Sequence, residues 1–279
     1  MLFTKMHGCG NDYVYVDCFR EAVTDAAVLA VEVSDRHFGI GSDGLILIIP
    51  SEKADCRMEM YNADGSRAAM CGNGIRCVGK YIYDHGIAKK PVVTVDTDAG
   101  VKTLKLQIED DICVGATVNM GAPILEATEI PTTLAPNGNV INTRLELSDG
   151  KTVYVTCVSM GNPHATIVVD NPKTYPVHEV GRTIERHPAF PERVNVHFIS
   201  VPAPGKITIR TWERGSGETL ACGTGNCAAL VAATLLGLCD GEADMTTLGG
   251  ELHIKWDRAE NTVYMTGPAA EVFSGEYRA

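Results

Sequence analysis

The hydrophobic pattern of the first 120 residues predicts alternating strands and helices. Apolar and aromatic residues dominate Asp12–Cys18 and alternate with polar ones over Cys56–Asn62, as in strands. Thr24-Asp25 is a predicted N-cap for a helix to about Asp35. Helical spacing of apolar residues predicts a second helix from Gly72 to about His85. Further predicted elements are the strands Leu45–Ile49, Val92–Asp96, Val101–Gln107 and Ile112–Met120, the loop Gly39–Gly44 and the turn Ala63–Ser66.

The second half repeats this order of elements. Its last helix, from about Gly223 to Gly237, is apolar nearly all round, which is typical of a helix buried on every side. We therefore expect each half to wrap strands around one central helix. The other predicted elements are the strands Thr152–Ser159, Ala165–Val169, Val194–Val201, Lys206–Trp212, Ala243–Thr247, Glu251–Trp256 and Thr262–Thr266, the helix Val177–Arg186 and a polar excursion at Pro131–Asn142.

Four separated motifs recur at a constant offset. Cys71-Gly72-Asn73-Gly74 returns as Cys222-Gly223-Thr224-Gly225, and positions 71 and 222 differ by 151. Positions 11 and 162, in Gly10-Asn11 and Gly161-Asn162, also differ by 151, as do the pairs Met60–Asn62 with Thr211–Glu213 and Gly44–Ile49 with Asn195–Ser200. The repeat predicts two homologous, pseudo-symmetric halves, each with one thiol in a Gly-rich turn.

Composition and charge limit the possible partners. The chain has 279 residues, 45% hydrophobic and 21% charged, which fits a two-domain globular protein. A net charge of −11 without a basic tract argues against a nucleic-acid partner. The longest apolar stretch, Leu45–Pro50, is too short to span a membrane, and the N-terminus lacks the pattern of a secretion signal. We expect no membrane partner and a cytoplasmic location.

The ten cysteines fall into two groups. In a reducing compartment, cysteines serve as small buried hydrophobes, metal ligands or nucleophiles more often than in disulfides. Core packing is expected for the cysteines within apolar or strand-like runs: Cys18, Cys56, Cys113, Cys157 and Cys239. The remainder lie in or near Gly-rich segments and stay open to a functional role: Cys9, Cys71, Cys77, Cys222 and Cys227.

Cys71 and Cys222 each precede a predicted helix. Free N–H groups and the positive end of the helix dipole favour an anion there, so we expect a thiol pKa below its usual value of about 8.5. Two such thiols related by internal symmetry suggest a thiolate and a thiol on opposite faces of one bound carbon. One would remove a proton and the other would return one, inverting the stereocentre without a cofactor or metal.

Other roles for the cysteines are less consistent with the spacing. A zinc site of Cys71, Cys77, Cys222 and Cys227 would need paired ligands five or six positions apart, wider than the usual interval. A redox disulfide between Cys71 and Cys222 lacks a C-x-x-C motif. A single-cysteine hydrolase would need a dedicated histidine in only one half, which the symmetry disfavours.

Five motifs follow one another along the chain: His7–Asp12, Tyr61–Ser66, Met70–Cys77, Gly161–His164 and Glu213–Gly225. In this order they resemble diaminopimelate epimerase over the whole chain. That resemblance implies cofactor-independent interconversion of LL- and meso-2,6-diaminopimelate in lysine and peptidoglycan precursor biosynthesis. It also implies an α/β (α+β) fold of two similar domains, with the active site in the cleft between them, and a homodimer.

The resemblance implies domain limits as well. The first domain is expected to cover residues 1–120 together with a last strand at about 267–279 that crosses back to it. The second is expected to cover residues 121–266. Cys71 lies in the first of these domains and Cys222 in the second.

The substrate implied by the resemblance calls for several kinds of contact. Backbone amides of Gly72, Asn73, Gly223 and Thr224 could hold the reacting α-carboxylate, where charge grows as the α-proton leaves. Arg214 has the forked shape that a distal carboxylate needs, and Glu213 could meet the distal ammonium. Asparagines supply neutral donors and acceptors, although Asn also serves in turns for its backbone alone. The asparagines in matched positions are Asn11, Asn62, Asn162 and Asn195.

Two further residues are implied near the thiols, and one position departs from the family pattern. The resemblance places His164 and Glu213 where they would set thiol protonation, with Cys71 the proton acceptor for one stereoisomer and Cys222 for the other. Where many members carry Gln, this chain has Gly44. The missing side chain removes a contact to the distal end of the substrate or leaves room for water.

Two other functions are compatible with the paired thiol turns. A related two-thiol racemase of proline or hydroxyproline shares the paired Cys-Gly turns. Such enzymes typically carry His after the first Cys-Gly, where this chain has Asn73, and they lack the Glu213-Arg214 pair. A non-catalytic or zinc-stabilised relative of the fold is the third possibility.

Overall fold

The structure is a computed structural model that describes residues 1–278. Ala279, the end of the predicted last strand, lies outside the described residues. The helices are α1 (Ala26–Ser34), α2 (Gly72–Asp84), α3 (Val177–Glu185) and α4 (Gly223–Leu235), with a 3₁₀ turn at Ala127–Glu129. The strands are β1 (Leu2–Gly8), β2 (Asn11–Asp17), β3 (Gly44–Ile49), β4 (Cys56–Asn62), β5 (Arg67–Ala68), β6 (Val92–Asp96), β7 (Lys102–Glu109), β8 (Ile112–Gly121), β9 (Thr143–Glu146), β10 (Thr152–Ser159), β11 (Pro163–Val168), β12 (Asn195–Ala203), β13 (Lys206–Glu213), β14 (Gly217–Thr219), β15 (Glu242–Thr246), β16 (Glu251–Asp257), β17 (Thr262–Pro268) and β18 (Ala270–Glu276).

The chain forms two compact units. Unit 1 is Met1–Asn119 together with the segment from Thr266 onward, and unit 2 is Met120–Met265. The predicted mixture of strands and helices is confirmed as an α+β fold. No helix among residues 1–278 is both long enough and apolar enough to cross a membrane.

Unit 1 wraps a mixed sheet around α2. Strand β1 pairs antiparallel with β18 and with β2, and β2 pairs parallel with β3. The order continues through β4 to β6, β7 and β8, with β5 paired to β4. Helix α2 packs against β1, β2, β4, β6, β7 and β18, and nearly all of its residues are buried. The buried residues of α2 include Arg76, whose charged side chain is fully enclosed.

Unit 2 repeats that arrangement around α4. Strands β9 to β13 pair in order, with β11 and β12 parallel and the other neighbours antiparallel. Strand β13 then pairs with β14 and with β15, and β15 pairs with β16. Helix α4 packs against β10, β11, β12, β15 and β16, as expected for a helix that is apolar nearly all round.

The offset of 151 predicted from sequence extends to the element boundaries. Helices α1 and α3 begin at residues 26 and 177 and end at 34 and 185, while α2 and α4 begin at 72 and 223 and end at 84 and 235. The pairing Val14↔Leu45 has its counterpart in Ala165↔Val196. The two units therefore share the register of this parallel strand pair as well as the order of elements.

Several strands fall outside the sequence-based prediction. Strand β1 was not predicted, although most of its residues are buried, and the short, mostly exposed or half-buried strands β5, β9 and β14 were not predicted either. Strands this short carry too few residues for alternation to emerge. The apolar residues of β1 are interrupted by Thr4 and Lys5, both of which are buried in the structure.

Candidate active site

Cys71 caps the first turn of α2. It has extended dihedrals, φ −127° and ψ 121°, and its carbonyl accepts the N–H of Ile75 at 2.9 Å. The N–H of Gly74 points at the Cys71 Sγ at 3.4 Å, so the sulfur takes the place of the oxygen in an ordinary N-cap. A Cβ on Gly74 would lie 2.7 Å from the Ile46 Cδ1, which explains the need for glycine three residues after the thiol.

The Cys71 thiol also contacts a side-chain amide. Its S–H donates to the Asn11 Oδ1 at 3.2 Å, and the Asn11 Nδ2 donates to the Asp43 Oδ2 at 2.8 Å. Tyr13, buried on β2, faces the same thiol, and its pKa is raised by burial and then by Cys71. Sequence reasoning missed Asp43 and Tyr13. The repeat could have indicated Tyr13, because positions 13 and 164 differ by 151 and His164 was already singled out.

Cys222 occupies the N-cap position of α4 with similar extended dihedrals, φ −114° and ψ 112°. Its carbonyl accepts the N–H of Asn226 at 2.9 Å, and its Sγ lies 3.6 Å from the Thr224 Oγ1. The thiol is buried, whereas that of Cys71 is half-buried. The two thiol turns thus share a backbone and differ in solvent access.

The expectation of a lowered thiol pKa is wrong for Cys222. Burial raises its pKa well above the usual value, and the nearby Glu213 carboxylate raises it further. Thr224 and the Gly225 N–H act in the opposite direction and do not outweigh these two effects. Desolvation of a thiolate is costly, so proximity to a helix start is not enough when the sulfur is enclosed beside a negative charge. Cys222 is therefore a protonated thiol at neutral pH.

Glu213 ends β13, beside the Cys222 turn. One of its carboxylate oxygens accepts the hydroxyl of Thr219 at 2.6 Å. Arg214 follows it in an exposed turn, where its guanidinium donates to the carbonyl of Glu192 at 3.0 Å. Asn195 fixes the same turn, because its Oδ1 accepts the Arg214 N–H and its Nδ2 donates to the Pro163 carbonyl, both at 3.0 Å.

His164 belongs to a chain of buried hydrogen bonds in unit 2. Its Nε2 lies 2.8 Å from the Asn162 Oδ1, and its Nδ1 lies 2.8 Å from the His197 Nε2. The His197 Nδ1 lies 3.0 Å from the Thr211 Oγ1. An amide oxygen accepts only, so His164 carries its proton on Nε2, His197 donates to it, and Thr211 donates to His197.

Both histidines are neutral. Burial lowers the pKa of His164 well below its usual value, with His197 and Arg214 adding to the effect, and burial lowers the pKa of His197 to about 3. His197 was not predicted from sequence. Its repeat counterpart is Ile46, because positions 46 and 197 differ by 151, and a histidine where the other half has a core isoleucine is the signal that could have identified it.

The remaining predicted residues lie on the same turns or beside them. Gly72, Asn73, Gly223 and Thr224 form the first turns of α2 and α4, where N–H groups have no intrahelical acceptor. The Asn73 side chain is buried and its Oδ1 accepts from Arg76 at 3.1 Å. The Asn62 Nδ2 donates to the Ser66 Oγ at 3.0 Å, which closes the turn after β4.

The space beside Gly44 is occupied. A Cβ at this position would lie 2.1 Å from the Tyr61 carbonyl oxygen and 2.9 Å from the Tyr13 ring. The backbone of β4 and an aromatic ring fill that space. A side chain at this position would therefore require the backbone of β4 to shift, while the expected loss of a contact to the distal end of the substrate stays a prediction.

A four-sulfur zinc site was the alternative that the spacing of the cysteines disfavoured. Across residues 1–278, no three His, Cys, Asp or Glu side chains are grouped as ligands of a metal ion. Cys77 and Cys227 are fully buried within α2 and α4.

Solved structures with the same fold carry several activities. A hydroxyproline epimerase from Agrobacterium vitis superposes with a TM-score of 0.70 at 16% identity, covering 99% of this chain and 90% of that one. A Bacillus anthracis phenazine biosynthesis protein of the PhzF family gives a TM-score of 0.71 at 17% identity, covering 100% and 99%. At these identities the likeness concerns the fold alone.

Sequence relatives are much closer. The family model described as diaminopimelate epimerase matches residues 3–126 and 156–272. A diaminopimelate epimerase from Acetivibrio thermocellus is 52% identical over 276 residues, covering 99% of this chain and 98% of the relative. The one from Desulfovibrio desulfuricans is 51% identical over 279 residues, covering 99% and 97%. The resemblance seen in the motifs is confirmed, and the chain belongs to the diaminopimelate epimerase family.

Proposed function

We propose that this chain interconverts LL- and meso-2,6-diaminopimelate, using Cys71 and Cys222 as the two acid–base groups and no cofactor. The observation that carries the proposal is the pair of cysteine N-caps, each at the start of a buried helix and separated by the repeat offset of 151. Full-length relatives named for this activity, at about half identical residues, support the choice of substrate. The product would enter lysine and cell-wall precursor synthesis.

The surroundings of the two thiols support one assignment of which group holds each proton during the reaction. Cys222 and Glu213 together hold one proton, which resides on the sulfur when no substrate is bound. When the Cys222 sulfur takes the α-proton, its own proton passes to the Glu213 carboxylate. The Cys71 thiol then gives its proton to the opposite face of the carbon and becomes the thiolate. The reverse reaction begins from that state, with Cys71 as the acceptor.

Charge that develops on the substrate needs fixed donors. As the α-proton leaves, the electron pair spreads into the α-carboxylate, and the N–H groups of Gly72, Asn73, Gly223 and Thr224 are suited to bind it. Because these groups are held by helix backbone, they need no reorganisation during the reaction. Their contribution is largest in the transition state, where the carboxylate carries the most charge.

The distal amino-acid end requires different groups. Arg214 is exposed and can pair its guanidinium with the distal carboxylate in a bidentate manner. We assign the distal ammonium to Glu213 and the neutral contacts to Asn11, Asn62, Asn162 and Asn195. Asn195 can also contribute indirectly, by holding the backbone of Arg214 in place.

Deuterium incorporation tests the proposed function. The purified protein is incubated in deuterated water with LL-diaminopimelate, and we expect uptake at one α-carbon together with formation of the meso isomer. Cys71→Ala and Cys222→Ala should each abolish epimerisation with unchanged circular dichroism. Cys239→Ala, which removes a half-buried thiol outside both turns, is the matched control and should behave as the unmodified protein.

Two results would contradict the proposal. Unchanged diaminopimelate alongside inversion of proline or hydroxyproline would identify a racemase instead. Full activity in either alanine variant would exclude the two-thiol mechanism. We further propose a cytoplasmic homodimer, which sedimentation at micromolar concentration and fractionation of expressing cells would test.

A further inference from the structure

The side-chain amide of Asn11 lies between a carboxylate and a candidate catalytic thiol. Its Nδ2 is 2.8 Å from the Asp43 Oδ2, and its Oδ1 is 3.2 Å from the Cys71 Sγ. A carboxylate can only accept hydrogen bonds, so the NH₂ end of the amide must face Asp43. The oxygen end is thereby turned toward the sulfur.

We propose that Asp43 is a positioning residue that holds Cys71 as a protonated thiol by fixing the orientation of Asn11. An amide oxygen accepts a hydrogen bond from S–H and has nothing to offer a thiolate. Rotating the amide by half a turn would place its NH₂ group at the sulfur, where it would stabilise the thiolate. Asp43 prevents that rotation.

Asp43 is itself firmly placed. The oxygen that binds Asn11 also accepts the Asp12 N–H at 3.2 Å, and the other oxygen accepts from Arg36 at 3.0 Å. The Asp43 N–H donates to the Asp12 carbonyl at 2.7 Å, which ties the loop before β3 to the start of β2. These contacts leave the carboxylate one orientation toward Asn11.

The second half of the repeat uses the opposite arrangement. Position 194, the counterpart of Asp43, is Val194, which cannot accept a hydrogen bond. Asn162, the counterpart of Asn11, has its oxygen bound by His164 at 2.8 Å. In unit 1 the Asp43 carboxylate accepts from the NH₂ group of Asn11, whereas in unit 2 the His164 ring donates to the oxygen of Asn162. The asymmetry supports a specific role for Asp43 because symmetry alone would have produced matching partners.

Other groups around Cys71 do not replace this effect. Tyr13 and Tyr15 face it from β2 and Cys77 from α2, and burial raises the pKa of each, so all three are neutral near pH 7. Arg76, also on α2, directs its guanidinium to Gly72, Asn73, Pro268 and Cys9. The Gly74 N–H favours the thiolate, and the Asn11 oxygen acts against it.

The inference rests on the proposed function only in its consequence, which is that Cys71 starts as the proton donor. The test needs no substrate. Alkylation of Cys71 by iodoacetamide is followed from pH 6 to 10 by peptide-resolved mass spectrometry, which separates Cys71 from the other cysteines. In Asp43→Ala we expect the midpoint pH to fall and the rate at pH 7 to rise about two- to tenfold, the effect of one ordinary hydrogen bond.

A double-mutant cycle separates positioning from simple loss of charge. In an Asn11→Ala background, adding Asp43→Ala should leave the Cys71 rate unchanged within experimental error. Asp12→Asn is the matched control, since it removes a carboxylate that binds the same Arg36 without touching the Asn11 side chain. Asp43→Ser is the second variant if Asp43→Ala fails to fold.

Three results would overturn the inference. These are an unchanged midpoint in the Asp43 variants, the same rise in the Asn11→Ala background, or an equal rise in Asp12→Asn. Because the titration is performed without diaminopimelate, loss of deuterium exchange would contradict the proposed function while leaving this result standing.

Discussion

The Nδ1 of His164 lies 2.8 Å from the Nε2 of His197, and both rings are completely buried. Two neutral imidazoles in this position form a polar connection from Thr211 to Asn162 inside unit 2. The connection fixes which end of the Asn162 amide is committed to the protein. Its integrity therefore bears on both stability and the candidate site.

Replacing His197 by Ala breaks two buried hydrogen bonds and leaves a cavity. The Nδ1 of His164 loses its donor and the Thr211 hydroxyl loses its acceptor, so we expect a loss of about 2–4 kcal/mol in the free energy of unfolding. Urea denaturation followed by circular dichroism measures this loss. A change below about 0.5 kcal/mol would show that the connection is not needed for stability.

The same variant should alter the acid sensitivity of the protein. The pKa of His197 falls from its usual 6.5 to about 3 on folding, so the unfolded chain binds a proton that the folded chain does not. This destabilises the native state progressively as pH falls from about 6.5 toward 3, and has no effect above 6.5. His197→Ala should reduce the slope of unfolding free energy against pH in that window. An unaltered slope would contradict neutral burial of His197.

Gly225→Ala should be strongly destabilising, because a Cβ there would lie 2.2 Å from the His197 Cε1. We expect a loss of about 1–3 kcal/mol from overpacking. Gly74→Ala is the matched comparison in unit 1, where the nearest atom is the flexible Cδ1 of Ile46, and its cost should be smaller. In the double variant of Gly225→Ala with His197→Ala, the penalty of the added methyl should largely disappear. Strictly additive losses would exclude the proposed clash.

Glu213→Gln should make the Cys222 thiol more reactive. Glu213 is the second-largest cause of the raised Cys222 pKa, after burial, so removing its charge lowers that pKa without restoring the usual value. Peptide-resolved alkylation at pH 9 should be faster than in the unmodified protein. Glu218→Gln, in the same hairpin but paired with Arg210, is the control and should leave the Cys222 rate unchanged. Equal rates in all three proteins would show that burial alone sets this pKa.

Placing glutamine at position 44 should destabilise the protein. The 2.1 Å approach to the Tyr61 carbonyl involves backbone, which cannot move aside without disturbing the pairing of β3 with β4. We expect Gly44→Gln to cost about 3 kcal/mol of unfolding free energy. A thermal-melt comparison with Gly44→Ala tests whether the Cβ is the cause, since both variants should be destabilised similarly.

The sequence predicted the helices closely because their determinants are local. The paired Cys-Gly turns and the apolar face of α4 are visible in consecutive residues, and the offset of 151 reinforced them. Strand β1 pairs with β18 at the other end of the chain, and β5 has only two residues, so local patterns reveal neither of them. The pKa of a buried group also depends on tertiary packing, which local sequence patterns do not reveal. Cys222 was expected to ionise easily from its place at a helix start, yet the burial that raises its pKa arises from tertiary packing.

The residues of the candidate site also divide into those with local sequence determinants and those defined by tertiary contacts. Asn11 could be singled out from its motif, whereas its contact with Asp43 spans 32 positions and joins the start of β2 to the loop before β3. His197 lies within an apolar run. It stands out as a candidate only when the two halves of the repeat are aligned, because its counterpart Ile46 is a core residue. Of the two residues beside the Cys71 thiol, Asn11 was identified from its motif, whereas Tyr13 was identified only from the structure.

Helices α2 and α4 have the same length, and their boundaries keep one spacing from those of α1 and α3. The strands around them keep this spacing less strictly, since β4 and β13 begin at residues 56 and 206, and β6 and β15 begin at residues 92 and 242, a separation of 150 in each pair. The lengths of the helices and their spacing are therefore better preserved between the two halves than the starts of the strands. An exchange of the two helices between the halves would match in length at both ends. The exchange would be opposed by the side chain that packs against the first turn of each helix, which is Ile46 beneath α2 and His197 beneath α4.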